Sequence, residues 1–332
     1  MADVTDAAFR RIIATYSAHT RADGTTGAAD VMWTEFVSAD GLIMADEEGK
    51  KKLLTDLLYS ERERPIVAQL FSSDSAHMEA ASALCRERGF DGIDINMGCP
   101  DRSIEKQGCG AAMIKNPQRA QEIIAAAKRG GKGGGKELPV SVKTRVGYNT
   151  GTLEEWLPAL LEAGPAAITL HARTRKEMSK VPAHWESIAR AVEIRNAHKS
   201  KTLIIGNGDV VDLVDARKKA EESGADGVML GRAIFGNPWL FHPERDASTV
   251  SLEERLLVMV EHTKLFEELL PHKSLAIMKK HYKAYVQGFE GAHALRTHLM
   301  QADTARAVED IVAGFMHECP RAHLLSSATL SV

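Results

Sequence analysis

The sequence predicts an α/β protein: a (β/α)8 TIM barrel followed by a smaller, all-helical C-terminal domain. Three observations predict it. Short apolar runs at 30–36, 65–71, 92–96, 138–143, 167–171, 202–206 and 227–231 alternate with segments of helical period such as 116–128 and 152–162, the pattern of parallel strands covered by helices. Polar residues stand at the C-terminal end of nearly every run: Gln69, Asn96 and Cys99, Lys143 and Arg145, His171 and Arg173, Asn207 and Asp209, and Arg232. In a closed barrel those ends converge on one face, whereas an open doubly wound sheet would gather them at a switch point. From Ser251 onward only amphipathic helix patterns remain. The predicted division is therefore 1–242 for the barrel and 243–332 for the helical domain.

The chain opens on a helix pattern from Thr5 to Tyr16, with Thr5 as the expected N-cap. The seven apolar runs leave a closed barrel one strand short of its eight. The missing strand would be the first, before Met1, and a truncated start or a mis-called initiator codon is the expected reason. Segments 18–29 and the Gly-rich 129–135 are expected as surface loops, and Ser251-Leu252-Glu253-Glu254 as a capping box opening the tail helices.

With 332 residues, 44% hydrophobic and 26% charged, the composition is that of a soluble globular protein. No run approaches the roughly 18 apolar residues of a membrane span, and the acidic start is no secretory signal. A net charge of −3 excludes a chain-wide basic footprint, so any nucleic-acid contact must be local. Cys85, Cys99, Cys109 and Cys319 form no CxxC pair or disulfide spacing, which points to a reducing, cytoplasmic setting. The 13 histidines show no metal-ligand spacing, so no metal is expected. The run 130–136 imitates a phosphate-binding loop, but Glu137 stands where Ser or Thr must reach Mg2+.

The densest group of chemistry-bearing residues is Asp94-Ile95-Asn96-Met97-Gly98-Cys99-Pro100. Cys99, just past a strand in a Gly/Pro turn, suits a proton donor or a nucleophile, against the plain alternative of a small buried turn residue. Cys85, Cys109 and Cys319 lack polar strand-end neighbours and read as structural. A lysine inside Val-Ser-Val-Lys143 needs a partner. The Gly pairs around Asn207-Gly208-Asp209 and Gly231-Arg232, with a short helix expected near Phe235, read as a barrel phosphate site or as ordinary tight turns. In the tail, Lys273, Lys280 and Lys283 are expected on one helical face opposite Leu275, Met278, Tyr282 and Tyr285, either as an RNA-backbone face joined by Arg296 or as a solvated face.

Asn96-Met97-Gly98-Cys99-Pro100 resembles the signature of the tRNA-dihydrouridine synthases. Further matches follow in order: Met1 to Asp6 with Phe9-Arg10, Gln69-Leu70, Val142 to Gly147, His171 to Arg175, Asn207 to Asp209, Gly231-Arg232, and Gly236 to Trp239. The resemblance runs from Met1 to about Arg296. It implies FMN as cofactor, NADPH or NADH as reductant, tRNA as partner and no protein partner. It also implies reduction of the C5–C6 bond of uridine, with hydride from the flavin to C6 and a proton from Cys99 to C5. By the same resemblance Met1, Ala2, Gln69, Lys143, His171, Asn207, Gly208, Asp209, Gly231 and Arg232 hold the flavin. Asn96, Arg145 and Arg173 hold the uracil and nearby phosphates, while Lys280, Lys283 and Arg296 meet tRNA. Two other readings stay open: an FMN barrel oxidoreductase acting on a small pyrimidine of dihydroorotate type, and a catalytically idle tRNA-binding protein.

Overall fold

Seven parallel strands form one sheet, and each lies within two residues of an apolar run read from the sequence: β1 Met32–Ser38, β2 Ile66–Phe71, β3 Gly92–Asn96, β4 Val140–Arg145, β5 Ala167–His171, β6 Leu203–Asn207 and β7 Gly227–Met229. The structure is a computed structural model that describes residues 3–21, 24–245 and 248–318. The strands pair in chain order from β1 to β7, as in a (β/α)8 barrel, and the outer edges of β1 and β7 pair with no strand among the described residues. Register sets the chemistry. Asn96 lies beside Lys143, Arg145 beside His171, and His171 beside Asn207, so polar ends gather at one edge.

The central strands hold because both faces are covered. Ile66, Ala68, Leu70, Ile93, Ile95, Val140, Val142, Ile168, Leu170 and Ile204 are all buried, as parallel strands require. The covering helices are α2 Ser75–Glu87, α3 Pro117–Gly131, α4 Leu153–Glu162, α5 Glu186–Ala197 and α6 Leu213–Ser223. Asp74 caps α2 by accepting from the backbone N–H of Ala76 and His77 at 2.8 and 2.9 Å. Asn116 caps α3, whose first residue is Pro117, where a missing N–H costs nothing.

The described chain divides into two compact units. One comprises 31–57 and 65–233, and so contains the whole sheet. The other comprises the residues up to Asp30, Leu58–Arg64, and those from Ile234 onward. In that second unit α1 Ala7–Tyr16 shares a core with the tail helices α7 Leu252–Leu269, α8 Lys279–Tyr285, α9 Ala292–Leu299 and α10 Ala305–Glu318. Ala8 and Ile12 of α1 pack with Trp239, Leu256, Met259, Tyr282 and Tyr285. Arg10 is fully engaged within the unit: its Nε donates to Glu63 at 2.7 Å, and its other nitrogens reach the carbonyls of Thr5 and Leu58.

Several sequence expectations need correcting. Asp6, not Thr5, caps α1, accepting from the Phe9 N–H at 2.9 Å. The first expected loop contains a short antiparallel pair, and the second supplies one strand and the turn of another. His19–Thr20 pairs with Thr26–Gly27, and Lys132–Gly133 with Lys136–Glu137. The second is possible because Gly134 and Gly135 both take positive φ, 58° and 76°, as a two-residue hairpin turn demands. No helix starts near Phe235; Arg232–Ile234 makes a single 3-10 turn. Lys273 precedes the helical residues and does not share the α8 face with Lys280 and Lys283. Met1, Ala2 and Cys319 lie outside the described residues.

Candidate active site

Cys99 follows β3 in a turn that Asn96 holds from within. The Asn96 Oδ1 accepts from the backbone N–H of Gly98 at 3.1 Å and of Cys99 at 2.9 Å. From the other side the Cys99 carbonyl accepts from the Ala111 N–H at 2.8 Å. Gly110, at φ 59°, permits that approach: a Cβ there would stand 2.6 Å from the Cys99 carbonyl oxygen. The turn is also tied to β4, where Met97 N–H donates to the Lys143 carbonyl at 2.8 Å and Arg145 Nε to the Gly98 carbonyl at 2.8 Å. Burial pushes the Cys99 thiol up from its ordinary value, with a backbone hydrogen bond pulling the other way. At neutral pH the sulfur therefore keeps its proton, the state of an acid and not of a nucleophile.

Lys143 and His171 stand on neighbouring strands. Burial brings the Lys143 ammonium down to about 8, with Arg145 adding to the effect and Asp94 opposing it. Its side-chain hydrogen bond among the described residues is a long one, 3.4 Å to Asn207 Oδ1. The Asn207 amide faces that way because its Nδ2 donates to the Met229 carbonyl at 2.8 Å. His171 is held neutral, its pKa brought down to about 2 by burial first and then by Lys143, Arg145, Arg173 and Arg232. Its Nε2 lies 3.1 Å from Arg173 Nη1. An arginine can only donate, so Nε2 accepts and the ring proton sits on Nδ1.

The sequence placed Arg145, Arg173 and Asp209 against ligands, and the geometry sorts them differently. All three Arg173 nitrogens are engaged inside the protein: Nε with the Val181 carbonyl at 2.7 Å, Nη1 with His171, and Nη2 in an ion pair with Asp209. Asp209, at φ 48°, braces the region, also accepting from Arg232 Nη2 and the Ala183 N–H. Its carboxylate repels a phosphate, so only its backbone suits one. Arg232 extends to solvent with its side chain 66% exposed. Arg145 spends Nε on Gly98 and Nη1 on the carbonyls of Thr174 and Met178, and its Nη2 makes no hydrogen bond among the described residues. Gly208 lets the His171 ring lie close: a Cβ there would stand 3.2 Å from its Cδ2.

Gln69 is buried, with Nε2 on Asp94 at 2.6 Å and Oε1 accepting from Asn96 at 3.3 Å. Asp94 carried no role in the sequence reading. The available signal was its place in Ile-Asp-Ile-Asn, a carboxylate between two apolar strand positions, which cannot stay there without partners. In the other unit Lys280 and Lys283 are exposed, while Arg296 Nη1 donates to the Val286 carbonyl at 2.6 Å and closes the end of α8. Among the described residues no group of three or more His, Cys, Asp or Glu could hold a metal ion, and no helix is long and apolar enough to cross a membrane.

The strand ends thus bring together Cys99, Asn96, Gln69, Lys143, His171, Asn207 and Arg232. The family model described as dihydrouridine synthase (Dus) matches residues 1–318. The chain is similar to the probable tRNA-dihydrouridine synthase 2 of Bacillus subtilis (strain 168), 37% identical over 321 residues, 95% of this chain and 92% of that one. It is as similar to the probable tRNA-dihydrouridine synthase of Staphylococcus aureus (strain MRSA252), 37% identical over 327 residues, 96% and 93% of the two chains. Among solved structures, the recombinant flavin-binding domain of baker's yeast flavocytochrome b2 aligns with a TM-score of 0.41 at 16% identity over 97% of this chain and 67% of that one, a likeness too loose to bear on function. On the match of residues 1–318 and of relatives 37% identical over nearly their whole length, the chain belongs to the dihydrouridine synthase family.

Proposed function

We propose that this chain is a flavin-dependent tRNA-dihydrouridine synthase that reduces the C5–C6 double bond of a uridine in tRNA. The observation that carries the reading is Cys99, a thiol kept protonated by burial, pinned through its backbone by Asn96 and close enough to Lys143 to act on its charge. Reduction of a uracil ring leaves enolate-type charge that a placed acid quenches. Cys99 Sγ–H is the proposed donor to C5. Asn96 holds the backbone that carries that thiol, and the spare Nη2 of Arg145 suits a uracil oxygen or a phosphate.

The site fits FMN by the chemistry of its donors. Lys143 is a desolvated cation with one weak partner, which an electron-rich ring or its anion would satisfy. Lys143, His171 and Gln69 would meet the isoalloxazine, while Asn207, Gly208, the Asp209 backbone, Gly231 and Arg232 would meet the phosphate. Met1 and Ala2 are proposed alongside. The chemistry FMN supplies when bound is hydride delivery to C6, with NADPH or NADH as the proposed electron source. His171 Nδ1–H supplies a neutral donor, and Lys143 a charge. Arg173 is assigned to holding His171 instead of to substrate.

We further propose the barrel as the catalytic domain, the helical tail as the tRNA-binding domain with Lys280 and Lys283 toward the backbone, and the cytoplasm as its place. The test is dihydrouridine formed in unmodified tRNA by the flavin-loaded enzyme with NADPH or NADH, wild type against Cys99→Ala. The variant is expected to keep its flavin absorbance and lose about 100-fold or more in rate. An unchanged rate removes Cys99 from the mechanism, and reduction of a free pyrimidine without tRNA favours the small-substrate reading.

A further inference from the structure

Strand β3 carries a charged group that the proposed chemistry leaves unused. Asp94 is completely buried, and its carboxylate accepts from Ser141 Oγ at 2.6 Å and Gln69 Nε2 at 2.6 Å. Gln69 Oε1 accepts from Asn96 Nδ2 at 3.3 Å, and Asn96 Oδ1 accepts from the N–H groups of Gly98 and Cys99. One unbroken row of hydrogen bonds therefore runs from a buried carboxylate to the backbone of the proton donor.

The two ends dictate the polarity of the row. Backbone N–H groups only donate, so Asn96 must turn its oxygen to them and its nitrogen to Gln69. An ionised carboxylate only accepts, so Gln69 must turn its nitrogen to Asp94 and its oxygen to Asn96. Reversing either amide sets donor against donor and acceptor against acceptor in a buried place, where an unmade hydrogen bond is costly.

We propose that Asp94 is a positioning residue for Cys99, acting through Gln69 and Asn96; this rests on the reading of Cys99 as proton donor. A consequence is that Gln69 and Asn96 present one fixed pattern of donors and acceptors to whatever ring lies against them. Neither amide can flip to suit a second ligand while the carboxylate holds the far end.

Isosteric exchanges test the row without emptying the core. The readout is the rate at which iodoacetamide alkylates Cys99 in the purified flavin-loaded enzyme without tRNA, followed by the mass of the Cys99 peptide. Asp94→Asn alone keeps an acceptor toward Gln69 and a donor toward the Ser141 hydroxyl, so the rate stays near wild type. Gln69→Glu alone sets two carboxylates in contact, which share a proton until the pH is high enough to ionise both; above that pH the turn loosens and alkylation, compared with wild type at the same pH, speeds about tenfold, the scale of one lost hydrogen bond. Combining Gln69→Glu with Asp94→Asn rebuilds a complete row, because the amide introduced at position 94 donates to the carboxylate introduced at 69, and the rate returns to near wild type. Three results would overturn the proposal: a Gln69→Glu rate equal to wild type at every pH, a combined variant as fast as Gln69→Glu above that pH, or Asp94→Asn alone as fast as Gln69→Glu there. The readout needs no tRNA, so its failure is separate from failure of the catalytic reading, which the Cys99→Ala assay decides.

Discussion

The protonation state and tautomer of His171 follow from surroundings that the sequence could name but not arrange. His171 was legible as a strand-end histidine. Its neutrality comes first from burial and then from Lys143, Arg145 and Arg173, and its Nδ1 proton from Arg173, two residues on, whose guanidinium is consumed by His171, Asp209 and Val181. A sequence displays an arginine without showing how many of its donors are spent, which is why Arg173 read as a ligand-facing residue. Replacing it tests the assignment. In Arg173→Met the ring loses a positive neighbour and the donor to Nε2, so His171 is expected to titrate at higher pH than in wild type and to lose its single tautomer, both read by 15N NMR of labelled histidine. An unchanged titration and tautomer would contradict this. Asp94 shows the same limit, since its place between Ile93 and Ile95 signals need but not the identity of the partners that meet it.

Strands were the most legible elements, because apolar runs such as Ile66–Phe71 and Gly92–Asn96, buried on both faces, leave little choice of structure. Turns and caps were less so: Asp6 prevails over Thr5 at the start of α1, and Gly134-Gly135 makes a hairpin of an expected loop. The Cys99 turn yields a direct prediction. Gly110→Ala puts a Cβ against the Cys99 carbonyl and a side chain at φ 59°. It is expected to cost about 1–2 kcal/mol from backbone strain alone and to raise the alkylation rate of Cys99, measured by urea denaturation and peptide mass; a neutral effect on both would contradict the close packing. In the second unit, His262 and His281 are completely buried against Phe9, Phe235 and Tyr285, their ring centroids 4.9 Å apart. Burial brings His262 down to about 3, and His281 well below its ordinary value, with His262 and Lys280 adding to the latter. Below the unfolded value of 6.5 the unfolded chain binds protons that the folded chain refuses, so stability falls with pH. Each such histidine is expected to cost about 2 kcal/mol between pH 6.5 and 5. Asp94, raised to about 6 from 3.8, works in the opposite direction. The test is therefore the difference in slope between wild type and His281→Phe, and equal slopes would contradict it.

For the molecule as a whole, the alternation of strand and helix and the polar strand ends were enough to read the barrel. Chain order hid the membership of α1 in the helical unit. Its apolar face, Ala8 and Ile12, meets residues more than two hundred positions away, and nothing in a helical period says which surface it will cover. The exposed Lys280 and Lys283 belong to that unit. If they meet phosphates, Lys280→Gln and Lys283→Gln should each weaken tRNA binding and lower the slope of log affinity against log salt by about one; slopes unchanged from wild type would move the tRNA contact elsewhere. The central claim is that the strand-end group around Cys99, Lys143 and His171 holds a flavin and reduces uridine in tRNA. The most direct measurement is the absorbance spectrum of the purified protein, followed on the same sample by dihydrouridine formed in unmodified tRNA with NADPH or NADH. A flavin spectrum with tRNA-dependent product is the predicted result. A flavin-loaded protein that leaves every tRNA uridine unreduced would contradict it.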